Sequence, residues 1–246
     1  MPFTFSHPAL ILPLTYLPPR WFSLTGLVIG SLTPDFEYFI RMKIQSNYSH
    51  TLSGLFWFDL PLGILLAFLF HNIVRDQLFC NLPVFLKSRV LNFTAFNWNR
   101  YFLDNWFVVL ISILVGATSH ILWDGFTHEH GFFVERFSAL RKQLEFSGIQ
   151  LPVSKIIQHA STLIGGLIVA FAIWKLPADK AVNGKINYKY WILVMLISSV
   201  ILTIRFFAGL ELKEYGSVLV SCISAGLIAL VLSSMFVKAR ETTTRK

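Results

Sequence analysis

Charge is scarce in this chain. Asp, Glu, Lys and Arg make up 14% of its 246 residues, against about 25% in a soluble globular domain. So few charges cannot coat a body of this size, which excludes an ordinary cytosolic protein. Cysteine is scarcer still. Cys80 and Cys222 stand far apart with no metal-type spacing, so neither a disulfide framework nor a zinc knuckle is available. The opening MPFTFSHPAL lacks the basic stretch of a secretory signal, and the apolar segments are expected to stay in the mature protein. The chain carries no GxSxG elbow, no phosphate-cradling glycine loop and no Cys–His pairing. No internal repeat or low-complexity segment stands out.

What is abundant is apolar. The residues AVILMFWYC reach 54%, with 24 Phe and 7 Trp, which excludes a disordered chain. The net charge of +8 would raise nucleic acid as a partner in a soluble domain. Here the basic residues fall in loops between apolar runs, as the positive-inside rule expects. Membrane lipid, not nucleic acid, is the expected partner.

Crossing a bilayer core takes about 20 mostly apolar residues. Five stretches qualify: 55–74, 106–123, 156–176, 190–207 and 217–237. Each is expected to be a helix, because a lone strand leaves its backbone groups unpaired in lipid. The N-terminal third differs. Two shorter apolar runs, 8–17 and 21–32, are separated by Pro18-Pro19-Arg20, and proline disfavours helix at and before its position. A single kinked span and a helical hairpin compete, and the hairpin is preferred for a reason given below. The expectation is an all-α polytopic membrane bundle of about five spans plus an N-terminal hairpin. Residues 1–155 would carry a site and 156–246 would supply the last spans. Loop charge sets the orientation. Arg75, Lys87, Arg89 and Arg100, then Lys175, Lys180, Lys185 and Lys189, then Lys238, Arg240, Arg245 and Lys246 fall on one side and outnumber the basic residues on the other. This places the C-terminus in the cytoplasm.

Ionisable residues near lipid-spanning helices are expensive and need a reason. SHILWDGFTHEHG, residues 119–131, holds His120, His128 and His130 with Asp124 and Glu129. His120 and Asp124 are four apart, so a helix stacks them on one face. Imidazole nitrogen and carboxylate oxygen are standard ligands for zinc and similar divalent ions. Gly125 is expected to loosen the helix so that His128 or His130 folds back. The bland alternative is a His120 that hydrogen-bonds inside the bundle and a solvated His-Glu-His loop. GSLTPDFEYF adds Asp35 and Glu37 at the end of one apolar run, and NYSHTLSG adds His50 at the start of the next. Asp35 and His50 therefore share a membrane face, and the span from Trp106 must return His120 and Asp124 to it. His7 joins them only if residues 8–32 form a hairpin, which is why the hairpin is preferred. Asp59 is odd within an apolar helix and is a candidate to orient a ligand. His71 falls at the far end of that helix, and His159 is a weak supplementary ligand. Ser precedes His7, His50 and His120, and a neighbouring hydroxyl can serve to orient a ligand.

FTFSHPA, GSLTPDFEYF, YSHTLSGLFWFDLP and GATSHILWDGFTHEHGFFV together resemble a family of bacterial membrane proteins catalogued as domain of unknown function 4184. The order His, Pro-Asp, His-Thr, Ser-His-x-x-x-Asp is also similar to inner-membrane proteins catalogued as metal-dependent hydrolases. More distantly it is similar to zinc-dependent phospholipase C and P1-type nucleases, in which three metals cleave phosphodiesters. The resemblance implies metal ligation by His7, Asp35, His50, His120 and Asp124, with His128 or His130 next. Two departures stand out: Glu37 replaces a second Asp, and His50-Thr51-Leu52 replaces a His-Arg-Gly turn.

The expected function is a metal-dependent phosphoester hydrolase in the bacterial inner membrane, acting on a lipid or lipid-linked substrate. Zinc is the foremost cofactor, and Asp35 and Asp124 are the expected catalytic groups. The alternative is a non-catalytic transporter or scaffold whose His and Asp side chains stitch helices together.

Overall fold

The computed structural model describes residues 3–18, 20–146, 148–182 and 186–237. Pro19 at the expected hairpin tip, Lys185, and the tail charges Lys238, Arg240, Arg245 and Lys246 lie outside the described residues. Five helices among the described residues are long and apolar enough to cross a membrane: Leu55–Asn81, Trp98–Arg136, Val153–Lys175, Tyr188–Phe207 and Tyr215–Phe236. The fold is all-α as expected, apart from a two-stranded antiparallel ribbon in which Gln143–Phe146 pairs with Ile149–Pro152.

The helices fall on the five expected stretches, with two informative differences. The first continues past residue 74 to Asn81, so Arg75 lies inside a helix and not in a loop. Its guanidinium is buried and well paired. Nη1 donates to the Phe96 carbonyl at 2.7 Å and Nη2 to the Thr94 carbonyl at 3.0 Å, while Nε meets Asp76 at 2.6 Å. Such pairing is what makes a buried cation tolerable. His71, one turn earlier, lies flat against Trp98 with ring centroids 4.7 Å apart. The second span begins at Trp98, eight residues early. The expected start at residue 106 marks a kink instead, where Asn105 departs from helical geometry (φ −135°, ψ 26°). Arg100 and Asp104 lie in the turns before it, exposed and 3.9 Å apart, so hydropathy alone misses these turns.

The chain divides into two compact units. One gathers the N-terminal segment through Phe36, Asn47–Ile64 and Asn105–Ala172. In it residues 8–32 do not form one helix. Pro8–Ile11 runs into a 3-10 turn, Leu12–Tyr16. The chain then reverses, with Trp21 N–H donating to the Pro18 carbonyl at 2.9 Å. Ser23 caps the returning helix Leu24–Gly30 by accepting from Gly26 N–H at 3.3 Å. This helix lies on Trp98–Thr127 at close range. A Cβ on Gly30 would strike the Ile113 carbonyl, and one on Gly116 would strike the Leu27 carbonyl. Small residues at such crossings let backbones approach. Ser23 N–H also donates to Ser112 Oγ at 2.8 Å. The first residues are pinned to Val153–Lys175: Phe3 N–H donates to Thr162 Oγ1 at 3.0 Å, and Ser6 Oγ donates to the Thr162 carbonyl at 2.9 Å.

The other unit gathers Glu37–Ser46, Leu65–Asp104 and the chain from Ile173 onward. The last two spans pack together around Tyr190, Val194 and Ala229, and Tyr190 Oη lies 3.2 Å from Ser234 Oγ. Two buried serines on Tyr215–Phe236 donate to backbone carbonyls, Ser221 to Met42 at 3.1 Å and Ser224 to Phe39 at 2.7 Å. Glu37 is held by Arg41 Nη2 at 2.9 Å and Ser46 Oγ at 3.1 Å.

Candidate metal centre

Three backbone elements deliver the central side chains. Asp35 sits in the first turn of Thr33–Arg41, where the helix dipole favours a negative charge. His50 stands in the turn before Leu55–Asn81, a turn closed by Thr51 Oγ1 accepting from Gly54 N–H at 2.9 Å. His120 and Asp124 come from successive turns near the end of Trp98–Thr127. The helix runs unbroken through Gly125 to Thr127, so the loosening expected at Gly125 does not occur.

One ligand atom from each of Asp35, His50, His120 and Asp124 lies within 4.8 Å of the other three. His120 Nε2 is 3.4 Å from Asp35 Oδ1 and 3.4 Å from Asp124 Oδ2. His50 Nε2 is 3.7 Å and 3.6 Å from the same two oxygens. A tetrahedral zinc site with ligands at about 2.0–2.1 Å sets its ligand atoms about 3.3 Å apart. The four measured edges are therefore those of a site slightly expanded from that size.

The outward-facing atoms of these side chains are already taken. His120 Nδ1 lies 2.8 Å from the Ser31 carbonyl, which can only accept, so Nδ1 carries a proton and Nε2 faces inward. Thr4 Oγ1 donates to Asp35 Oδ2 at 2.5 Å, leaving Oδ1 to face the centre. His50 Nδ1 meets Ser49 Oγ at 3.0 Å. Such outer contacts orient metal ligands and fix imidazole tautomers. The close approach at Gly30 and Gly116 is what brings the Ser31 carbonyl to His120.

The inward atoms tell the complementary story. Asp35 and His120 are fully buried, His7 is 2% exposed and Asp124 6%. Asp35 Oδ1, His120 Nε2 and both Asp124 oxygens have no hydrogen-bond partner within the protein. A buried polar atom left so costs about 1–3 kcal/mol. Several such atoms aimed at one point fit a cation, whose charge and vacant orbitals satisfy them together. The residues present thus fit a metal ion.

His7 and His128 stand outside the four-atom set, each against Asp124. His7 Nε2 is 3.6 Å from Asp124 Oδ1, and its ring stacks on His120 with centroids 3.7 Å apart. Burial, then the neighbouring His120, pushes the His7 imidazole down to about 3, so the ring is neutral near pH 7. Burial works to raise the Asp35 carboxyl, but the charge and hydrogen-bond interactions with His120, together with the nearby His50, outweigh it and hold the group below its ordinary value. His128 Nδ1 is 3.6 Å from Asp124 Oδ2 and 3.1 Å from the Asp124 carbonyl, whereas His130 is exposed. His159, expected as a supplementary ligand, is exposed on its helix and outside the cluster. Asp59 is fully buried in the π turn that opens Leu55–Asn81. Thr4 and the Ser31 carbonyl were not foreseen. Neither has a spacing signal, and a backbone carbonyl leaves no mark in a sequence.

No curated protein and no solved structure matches the chain. One family does, described as Domain of unknown function (DUF4184), over residues 1–235. That match takes in every residue of the His/Asp cluster, and the protein belongs to the DUF4184 family.

Proposed function

We propose that the His/Asp cluster holds a divalent metal ion, zinc foremost, and that the protein hydrolyses a phosphoester of a lipid or lipid-linked substrate at a bilayer face. The observation that carries this reading is the set of buried, inward-facing nitrogen and oxygen atoms without hydrogen-bond partners, with Asp35 and His120 fixed from behind. A set built only to stitch helices would pair these atoms with one another at hydrogen-bond distance. Here the edges of 3.4–3.7 Å leave room for an ion between them.

Asp35, His50, His120 and Asp124 would be the ligands, with His7 and His128 flanking Asp124. A divalent cation there would supply a Lewis acid for a phosphoryl oxygen and lower the pKa of a water molecule toward about 7. The chain's own contribution is to orient and exclude water. Thr4 and Ser31 hold Asp35 and His120 in one rotamer and one tautomer. His7 sets a neutral ring beside Asp124. The five apolar spans favour a substrate already in the bilayer. The resemblance to inner-membrane hydrolases and to zinc phospholipase C supports the phosphoester class and a bacterial inner-membrane setting, and the loop charges support a cytoplasmic C-terminus.

The test is metal content with hydrolysis. Protein purified in detergent should carry zinc or a similar divalent ion and release phosphate or alcohol from a lipid phosphoester, and chelation should remove both. A protein that binds no divalent ion when supplied with zinc, manganese or magnesium would exclude this function.

A further inference from the structure

Beside the cluster, in the same unit, lies a groove of about 350 Å³ lined by Ala9, Leu10, Trp123, Ile157, Ala160 and Ile164 among others. That is within the range of small-molecule sites, about 300–1,000 Å³. Its walls are almost wholly apolar. The hydroxyls along it are spent: Ser6 donates to the Thr162 carbonyl and Ser161 to the Gln158 carbonyl. The exception is His7, which lines the groove, is 2% exposed, and has both ring nitrogens without a protein partner. His7 is also the ring stacked on His120 and 3.6 Å from Asp124. The groove and the cluster therefore share a wall.

We infer that this groove receives one hydrocarbon chain of a bilayer lipid, with the head of that lipid reaching the His/Asp cluster past His7. The inference deepens the proposed function and rests on it for the role of the head group. Two observations select this occupant. The groove offers an apolar wall with one unsatisfied polar group, His7, beside the cluster, which is the polarity pattern of an acyl chain joined to a polar head. One wall belongs to Val153–Lys175, a helix of membrane-spanning length with Leu163, Leu167 and Phe171 exposed, so a chain dissolved in the bilayer meets the groove directly. Close packing bounds the groove at one edge: a Cβ at Gly165 would come within 2.8 Å of the Ser6 carbonyl, so the N-terminal segment lies directly against the helix.

The test is photocrosslinking of the full chain in phosphatidylglycerol nanodiscs that contain a lipid with a diazirine on its acyl chain, read by peptide mass spectrometry. Crosslinks should concentrate on peptides holding Leu10, Trp123, Ile157 and Ile164. Ala160→Phe, which fills the groove, should lower that yield about tenfold, the scale of a lost apolar pocket, with bound metal unchanged. Leu167→Phe, on an exposed position outside the groove, should leave the pattern as it is. If Ala160→Phe is poorly folded, Ile164→Trp takes its place. Undiminished crosslinking in the filled variants, or crosslinks spread evenly over the exposed helix, would overturn the inference. Groove crosslinks in a protein that holds no metal and hydrolyses nothing would instead overturn the proposed function and leave the groove standing as a lipid site.

Discussion

Asp124 is where the side chains meet. His7, His50, His120 and His128 each bring a ring nitrogen within 3.6 Å of one of its oxygens. Around that centre the outer contacts carry much of the expected energetics. Thr4→Val keeps the shape of the side chain and removes the donor to Asp35 Oδ2. Loss of such an outer contact lowers metal affinity by about 10–100-fold, and the orphaned buried oxygen costs about 1–3 kcal/mol. Thr4→Ser should restore both. Zinc competition against a chromophoric chelator reads the first effect and thermal unfolding in detergent the second. Equal zinc affinity in Thr4→Val and wild type would remove Thr4 from the site. At this scale His7, Asp35, His50, His120 and Asp124 were legible because expensive side chains recur at the ends of apolar runs. Thr4 was not, because its contact joins positions 31 apart and threonine near a terminus is unremarkable. His159 was misjudged because sidedness along a chain does not tell which face of a helix a residue occupies.

At the scale of elements, two packings make the architecture testable. Gly116 lets the Leu24–Gly30 helix lie on Trp98–Thr127, and that contact sets the Ser31 carbonyl on His120. Gly116→Leu should cost about 1–3 kcal/mol from overpacking and weaken zinc retention as well, because the hairpin must shift. Gly226→Leu, at a glycine with nothing near its Cβ position, should do neither. Arg75 gives the opposite case. Arg75→Ala strands the Phe96 and Thr94 carbonyls and should cost about 1–3 kcal/mol, read as a lower unfolding temperature, while the folded fraction keeps its metal. Hydropathy placed the five spans well, since burial in lipid demands long apolar runs. It failed at Arg75 and at residues 98–105, where charged residues inside helices are satisfied by carbonyl groups or by solvent. The ribbon at residues 143–152 passed unnoticed in a loop whose pattern is too short to read.

For the whole molecule, the claim is that segments far apart in the chain meet at one membrane face. Single cysteines at Thr51 and Glu129, both exposed, should react from the same side with a membrane-impermeant maleimide in sealed vesicles. Cys80 and Cys222 are first replaced by Ser. Labelling from opposite sides would break the site apart, because His50 adjoins Thr51 and His128, which contacts Asp124, adjoins Glu129.

The most direct measurement is elemental analysis of the purified wild-type chain beside Asp124→Asn, after each is offered zinc and passed through a desalting column. Asn keeps the shape of the side chain but removes the charge that replaces an ion's lost hydration in a buried setting. The account predicts at least one zinc ion per wild-type chain, and little or none in a variant that still elutes as a folded, monodisperse species. A wild-type chain free of metal, or an Asp124→Asn variant that keeps its full complement, would contradict it.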